Sequence, residues 1–131
     1  MSTGPYARLL KPPKASFFLF GLRGVGKSTW ARAQFPRAHV IDLLDEARYQ
    51  TLLANPGQLA AELRAIPSSS PVVLDEVQRV PELLNVVHTL IEQPVPQRFV
   101  LTGSSARKLR RGGVDLLAGQ ALYYSMHPCY L

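Results

Sequence analysis

A glycine-rich stretch near the start of the chain constrains the fold more than any other feature. Residues 21–28 are GLRGVGKS, which matches the pattern G-x-x-x-x-G-K-[ST], and they follow directly on the apolar run 16–20. A loop of this kind between a strand and a helix directs several backbone N–H groups to one point, where the positive end of the helix dipole adds to them. The sequence therefore predicts a phosphate-binding loop and, with it, a nucleotide-binding domain.

The predicted loop includes the start of the helix that follows it. Its nucleotide-binding residues are Gly21, Leu22, Arg23, Gly24, Val25, Gly26, Lys27, Ser28 and Thr29. We expect Lys27 to reach the β- and γ-phosphates and the Ser28 hydroxyl to ligate the Mg²⁺ that bridges them. Thr29 is expected to face the α-phosphate. A glycine-rich turn that contains Lys-Ser by chance is the alternative, and the preceding apolar run disfavours it.

Length and composition limit the class of protein. The chain has 131 residues, of which 47% are hydrophobic, so we expect one globular domain over residues 1–131 with 1–15 as a lead-in. No apolar run approaches the roughly 20 residues of a membrane span, and residues 1–10 lack the apolar segment of a signal peptide. These features predict a cytoplasmic protein without a membrane partner. The single cysteine, Cys129, indicates neither an internal disulfide nor a zinc site.

Strand-like and helix-like segments alternate along the chain. The patterns predict strands near 16–20, 39–42, 72–74, 98–102 and 121–124. Helices are predicted over 27–34 and 44–54, from Pro56 through the apolar positions 59–66, from Pro81 onward, and over 116–119. Such alternation favours an α/β fold with a five-stranded, mostly parallel sheet that carries helices on both faces.

Two carboxylates follow the wholly apolar run 72–74, which is typical of a buried central strand. Asp75 is predicted to hold magnesium through its water shell, because magnesium-dependent NTPases need a carboxylate at the end of a central strand. Glu76 can orient or deprotonate the water that attacks the γ-phosphate, which is typical of hydrolases. Helix capping is the alternative for both acids, and the phosphate-binding loop upstream favours the metal-and-base interpretation.

Polar side chains also follow the predicted fourth strand. Thr102, Ser104 and Ser105 stand there, beside the strand that carries Asp75, so one of them is placed to sense the γ-phosphate or the attacking water. Ser104 is the catalytic candidate, and capping of the next helix is its alternative. The chain contains no Asn-Lys-x-Asp tetrapeptide for reading guanine, so ATP is preferred to GTP.

The positive charge of the chain does not distinguish between its possible binding partners. A formal net charge of +6 suits an anionic ligand, and it equally suits nonspecific attraction to nucleic acid. The basic run at 107–111, which includes Arg107 and Lys108, can contact DNA phosphates or the nucleotide of a neighbouring subunit. A solvated helix face is the default interpretation of such a run. Besides ATP, the open partners are a second copy of the chain, another protein and nucleic acid.

The chain resembles a family of prokaryotic AAA-like ATPases in which an N-terminal P-loop domain precedes a C-terminal nuclease-like domain. The resemblance is carried by 16–28, by VLDEVQ at 73–78, by PELL at 81–84, by LTGSSARKL at 101–109 and by LLAG at 116–119. It implies a three-layer P-loop NTPase with strand order 5-1-4-3-2. It also implies ATP binding through 21–29, magnesium at Ser28 and Asp75, a base at Glu76 and a sensor within 102–105.

Two departures from the family pattern qualify this expectation. Gln120 stands where the family usually has arginine after Leu-Ala-Gly, and the chain ends soon after 126–128, where relatives continue into a lid and a C-terminal domain. The first hypothesis is therefore an ATPase core with magnesium-dependent ATP binding and slow hydrolysis. The alternatives are a nucleotide-binding remnant with little turnover, a DNA-associated ATPase fragment and a small-molecule kinase.

Overall fold

A parallel sheet forms the centre of the fold. The computed structural model describes residues 15–21, 26–94, 97–104 and, by their backbone, 122–125. The strands are β1 (Phe17–Phe20), β2 (His39–Asp42), β3 (Val72–Asp75), β4 (Phe99–Gly103) and β5 (Leu122–Ser125). Their order across the sheet is β2-β3-β4-β1-β5, and every neighbouring pair is parallel. The prediction of an α/β fold with a parallel sheet is confirmed, and the carboxyl ends of the strands share one edge.

Helices connect these strands within the described residues. They are α1 (Lys27–Gln34), α2 (Glu46–Ala54), α3 (Gln58–Arg64) and α4 (Leu83–Ile91), and a 3₁₀ turn, Val77–Arg79, leads from β3 toward α4. Helix α1 has the predicted bounds. The predicted helix at 116–119 lies outside the described residues.

Three helices begin later than predicted, and one of them is α4, which was predicted from Pro81 but begins at Leu83. The Asp45 side chain accepts a hydrogen bond from the backbone N–H of Ala47 at 3.0 Å, which makes Asp45 the N-cap of α2 and leaves Leu44 in the preceding turn. Helix α3 was predicted to start at Pro56, but Gly57 is its N-cap and Pro56 belongs to a turn. In all three places, residues that the sequence pattern had assigned to the helix lie in a local turn.

Each face of the sheet carries its own apolar cluster, because successive side chains of a strand point to opposite faces. On one face, Phe17 and Leu19 of β1 pack with Ala31 of α1 and with the neighbouring strands. The other face is covered by α2, α3 and α4 through the following buried residues: Leu52, Leu59, Leu63, Leu83, Leu84 and Val87. Helices therefore lie on both faces, and the polar chemistry is confined to the ends of the strands.

The register of the strands sets the level of the candidate site. Phe20 pairs with Gly103, and the backbone N–H of Gly21 donates to the Gly103 carbonyl at 3.1 Å. On the other side of the sheet, Asp42 of β2 pairs with Asp75 of β3. The first residue of the predicted phosphate loop is thus tied to the same sheet edge at which Asp75 ends its strand.

An ion-pair cluster joins α2 and α3 to the edge strand β2. Arg48 donates to both carboxylate oxygens of Glu62, at 2.8 and 2.6 Å, and His39 Nε2 lies 2.5 Å from Glu62 Oε2. The hydrogen bonds from Arg48 hold the pKa of Glu62 below its ordinary value; burial opposes this effect and the bond with His39 supports it. The cluster therefore favours a charged Glu62 in the folded protein.

This cluster predicts a pH-dependent contribution to stability. Because the pKa of Glu62 is lower in the folded state, its contribution is present above the unfolded value of about 4.3 and is lost as the pH falls through the folded pKa. We expect the wild-type protein to lose more stability on acidification through that range than Glu62→Gln. Urea midpoints measured on both proteins across this range test the expectation. Parallel curves for the two proteins would contradict it.

Candidate functional site

The candidate site lies where the carboxyl ends of β1, β3 and β4 meet the start of α1. Gly26 precedes α1 with φ 90°, a left-handed conformation that favours glycine, and its carbonyl accepts from the N–H of Trp30 at 2.8 Å. A Cβ on Gly26 would meet no atom within 4 Å, so the backbone angle and not space requires glycine there. Of the predicted loop, residues 22–25 lie outside the described residues, and Thr29 is exposed on α1.

Lys27 and Glu76 form a buried ion pair in this site. Lys27 Nζ lies 2.9 Å from Glu76 Oε2, and the two side chains are 3% and 4% exposed. Burial of either charge without the other would be unfavourable, because desolvating a single ion costs several kcal/mol of free energy. The structure thus brings together the predicted phosphate-binding lysine and the predicted base.

Asp75 and Ser28 lie side by side at the end of β3. The Ser28 hydroxyl is within hydrogen-bond distance of both carboxylate oxygens of Asp75, at 2.6 and 2.7 Å. Thr102 donates to Asp75 Oδ1 at 2.5 Å, and Arg32 donates to Asp75 Oδ2 at 3.3 Å. The carboxylate is almost fully buried, and hydrogen-bond donors from α1 and β4 surround it.

These oxygen donors fit a magnesium ion that also takes oxygens from phosphates and water. Magnesium prefers oxygen ligands, and in nucleotide sites it is commonly held by one or two carboxylates together with the substrate. Among the described residues, no group of three or more His, Cys, Asp or Glu side chains could hold a metal. A magnesium ion at Ser28 and Asp75 would thus depend on the nucleotide for the rest of its ligands.

The backbone at Glu76 is left-handed, with φ 61° and ψ 52°. Among the described residues it is the one non-glycine position with positive φ. This conformation costs on the order of 1–3 kcal/mol for a residue with a Cβ, and it persists only where its surroundings impose it. Thr102 does so here, because its hydroxyl accepts from the Glu76 N–H at 2.9 Å while it donates to Asp75. One buried threonine thus fixes both acids.

The predicted sensor region is described only in part. Thr102 is fully buried, whereas Ser104 follows β4 and is partly exposed. Ser105, the basic run 107–111 and Gln120 lie outside the described residues.

Sequence reasoning missed two side chains that contact the acids. Arg32 lies 3.3 Å from Asp75 and 3.8 Å from Asp42 and is about half exposed. Gln78 Nε2 donates to Glu76 Oε1 at 2.8 Å. The signal for Arg32 was its position four residues after Ser28, which places it on the same face of α1. No such signal exists for Gln78, because the alternation of a strand does not predict where a side chain points in the turn that follows the strand.

An open pocket of about 800 Å³ lies away from this site, between α3 and α4. Leu63, Ile66 and Leu90 are among its lining residues, and Arg64 brings a positive charge. None of the site residues lines it. The buried ionisable side chains and the left-handed backbone of the candidate site are instead at the end of β3.

Comparison with known protein families identifies the family of the chain. A family model described as an AAA domain matches residues 13–131, a range that contains all of the described site residues. No curated protein matches the chain. The described part of the chain has no helix with the length and apolar character that crossing a membrane requires.

Proposed function

The chain belongs to the AAA domain family, and from that premise we propose that it binds ATP with magnesium and slowly hydrolyses the γ-phosphate. The observation that carries the proposal is the meeting of four side chains at one sheet edge. A lysine and a serine from the start of α1 contact two successive acids at the end of β3, as the ion pair Lys27–Glu76 and the hydrogen bond Ser28–Asp75.

Each of these side chains has a task in the proposed reaction. Phosphate oxygens of ATP take the place of Glu76 beside Lys27 Nζ, which is a point charge suited to the β- and γ-phosphates. Ser28 and Asp75 hold magnesium, which when bound offsets the charge that develops on the phosphates. We assign the remaining phosphate contacts to the backbone of 21–26 and to Thr29, and a contact with the γ-phosphate or the attacking water to Ser104.

Glu76 is the proposed general base. Its carboxylate takes a proton from a water molecule as the water oxygen bonds to the γ-phosphorus, and the bond from that phosphorus to the bridging oxygen of ADP breaks. The products are ADP and inorganic phosphate, and the proton then leaves Glu76 for solvent. We assign this core to residues 1–131 and expect it to work in the cytoplasm, where ATP and magnesium are present.

Thermal melting with and without magnesium-ATP tests the binding half of the proposal. A ligand that binds only the folded form stabilises it by about 2.7 kcal/mol at a hundred times its Kd, which for a small domain raises the melting temperature by several degrees. We expect this increase with ATP and magnesium and a smaller one when EDTA removes the metal. An unchanged melting temperature at millimolar ATP would contradict the proposal.

Phosphate release separates the proposed ATPase from its main alternative. In the described structure, the proposed base Glu76 is held in an ion pair with Lys27, so a protein that binds ATP without turnover is the second candidate. A raised melting temperature together with release of inorganic phosphate supports the ATPase. A raised melting temperature with no phosphate release identifies a nucleotide-binding module.

A further inference from the structure

The two oxygens of the Glu76 carboxylate face different donors. Oε2 accepts from Lys27 Nζ at 2.9 Å, whereas Oε1 accepts from the Gln78 amide at 2.8 Å. Gln78 stands in the 3₁₀ turn two residues after Glu76, and the left-handed backbone of Glu76 starts that turn. The turn after β3 therefore sets the direction of the Glu76 side chain and also brings the Gln78 amide close to it.

The Gln78 amide also lies against the end of β4. A Cβ built on Gly103 would come within 3.0 Å of Gln78 Oε1, so the absence of a side chain at 103 makes room for the amide. The carbonyl of Gly103 accepts from the N–H of Gly21, the first residue of the predicted phosphate loop. Gln78 thus occupies the space between Glu76 and the strand that anchors the loop.

The Gln78 side chain is not well suited to stabilising the folded state. Gln78 Oε1 is buried without a hydrogen-bond partner, and a buried acceptor without a donor is unfavourable for folding. An apolar side chain of the same length would fill the space without that cost. The amide N–H toward Glu76 is the one contact here that an apolar side chain could not replace.

We propose that Gln78 is a positioning residue that holds the Glu76 carboxylate in the orientation needed for proton transfer. The proposal rests on the function proposed above. When phosphate oxygens replace Glu76 beside Lys27, the bond from Gln78 still holds Oε1, so that Oε2 is directed to the attacking water. Without this bond, the carboxylate rotates about its side-chain torsions and the fraction of productive orientations falls.

The variant Gln78→Met tests the proposal because methionine keeps the length of the side chain but has no donor. We expect kcat to fall about 10–100-fold, as for other residues that orient a reactive group through a hydrogen bond. The Kd of ATP and the melting temperature of the nucleotide-free protein should not worsen. The matched control is Gln50→Met, which removes a similar 2.9 Å amide-to-carboxylate bond to Glu46 on the exposed surface of α2 and should leave kcat unchanged.

Three outcomes would overturn the proposal. One is an unchanged kcat in Gln78→Met, and the second is a parallel loss of kcat, ATP affinity and melting temperature, which indicates a structural role. The third is a further loss of kcat when Gln78→Met is added to Glu76→Gln, because a residue that acts through Glu76 has no effect once the base is gone. A wild-type protein that releases no phosphate refutes the proposed function itself, whereas equal turnover in wild type and Gln78→Met refutes this inference alone.

Discussion

Replacing Glu76 with glutamine is expected to lower kcat for ATP hydrolysis by about 10²–10⁴-fold, the usual contribution of a general base. The amide has the size of the carboxylate, and its oxygen can still accept a hydrogen bond from Lys27 Nζ, which lies 2.9 Å from Glu76 Oε2. It cannot take a proton from water at neutral pH. Phosphate release under saturating ATP measures the effect.

The same variant is expected to bind ATP more tightly than the wild-type protein. In the wild type, the phosphates must displace a carboxylate from Lys27 and then lie near its negative charge. Glutamine removes both the strong ion pair and the repulsion, so the Kd measured by calorimetry should decrease. Glu82→Gln, which neutralises an exposed acid beside α4, is the control and should change neither quantity. A Kd that rises would contradict this expectation, because it would show that the Glu76 carboxylate favours ATP binding.

The parallel topology explains why much of the site could be predicted. Once β1 and β3 are parallel strands of one sheet, the loop after β1 and the acids after β3 must meet at the same edge. This brings Lys27 and Ser28 toward Asp75 without any knowledge of side-chain contacts. The catalytic roles given to these residues stay predictions.

The contacts between the acids could not be predicted, because they depend on distant parts of the chain. Glu76, which meets Lys27, leaves β3 with a left-handed backbone, and its N–H donates to a hydroxyl on β4, 26 positions away at Thr102. Sequence patterns assign strands and helices, but they do not give the one residue that leaves the strand in an unusual conformation. The cluster of His39, Arg48 and Glu62 escaped prediction for the same reason, since its members come from three elements.

Removing the lysine of the buried pair should have a large effect on stability. Lys27→Met leaves the almost fully buried Glu76 carboxylate without its cation, and breaking such a pair typically costs about 3–5 kcal/mol. That is a large share of the 5–15 kcal/mol by which domains are usually stable. Urea unfolding of the nucleotide-free protein measures the loss. Arg37→Met, which removes an exposed cation, is the control and should stay within about 0.5 kcal/mol of wild type.

The double variant Lys27→Met with Glu76→Gln distinguishes a broken ion pair from a simple loss of packing. When both charges are absent, no ion is left buried alone, so we expect most of the lost stability to return. Magnesium-ATP should still fail to raise the melting temperature, because the phosphates have lost their lysine in both variants. If the double variant is as unstable as Lys27→Met, the loss comes from the missing lysine stem and not from the removal of the positive charge beside Glu76. If the double variant regains stability but does not bind ATP, then Lys27 has two functions: it pairs with Glu76 in the nucleotide-free protein, and it binds the phosphates of ATP.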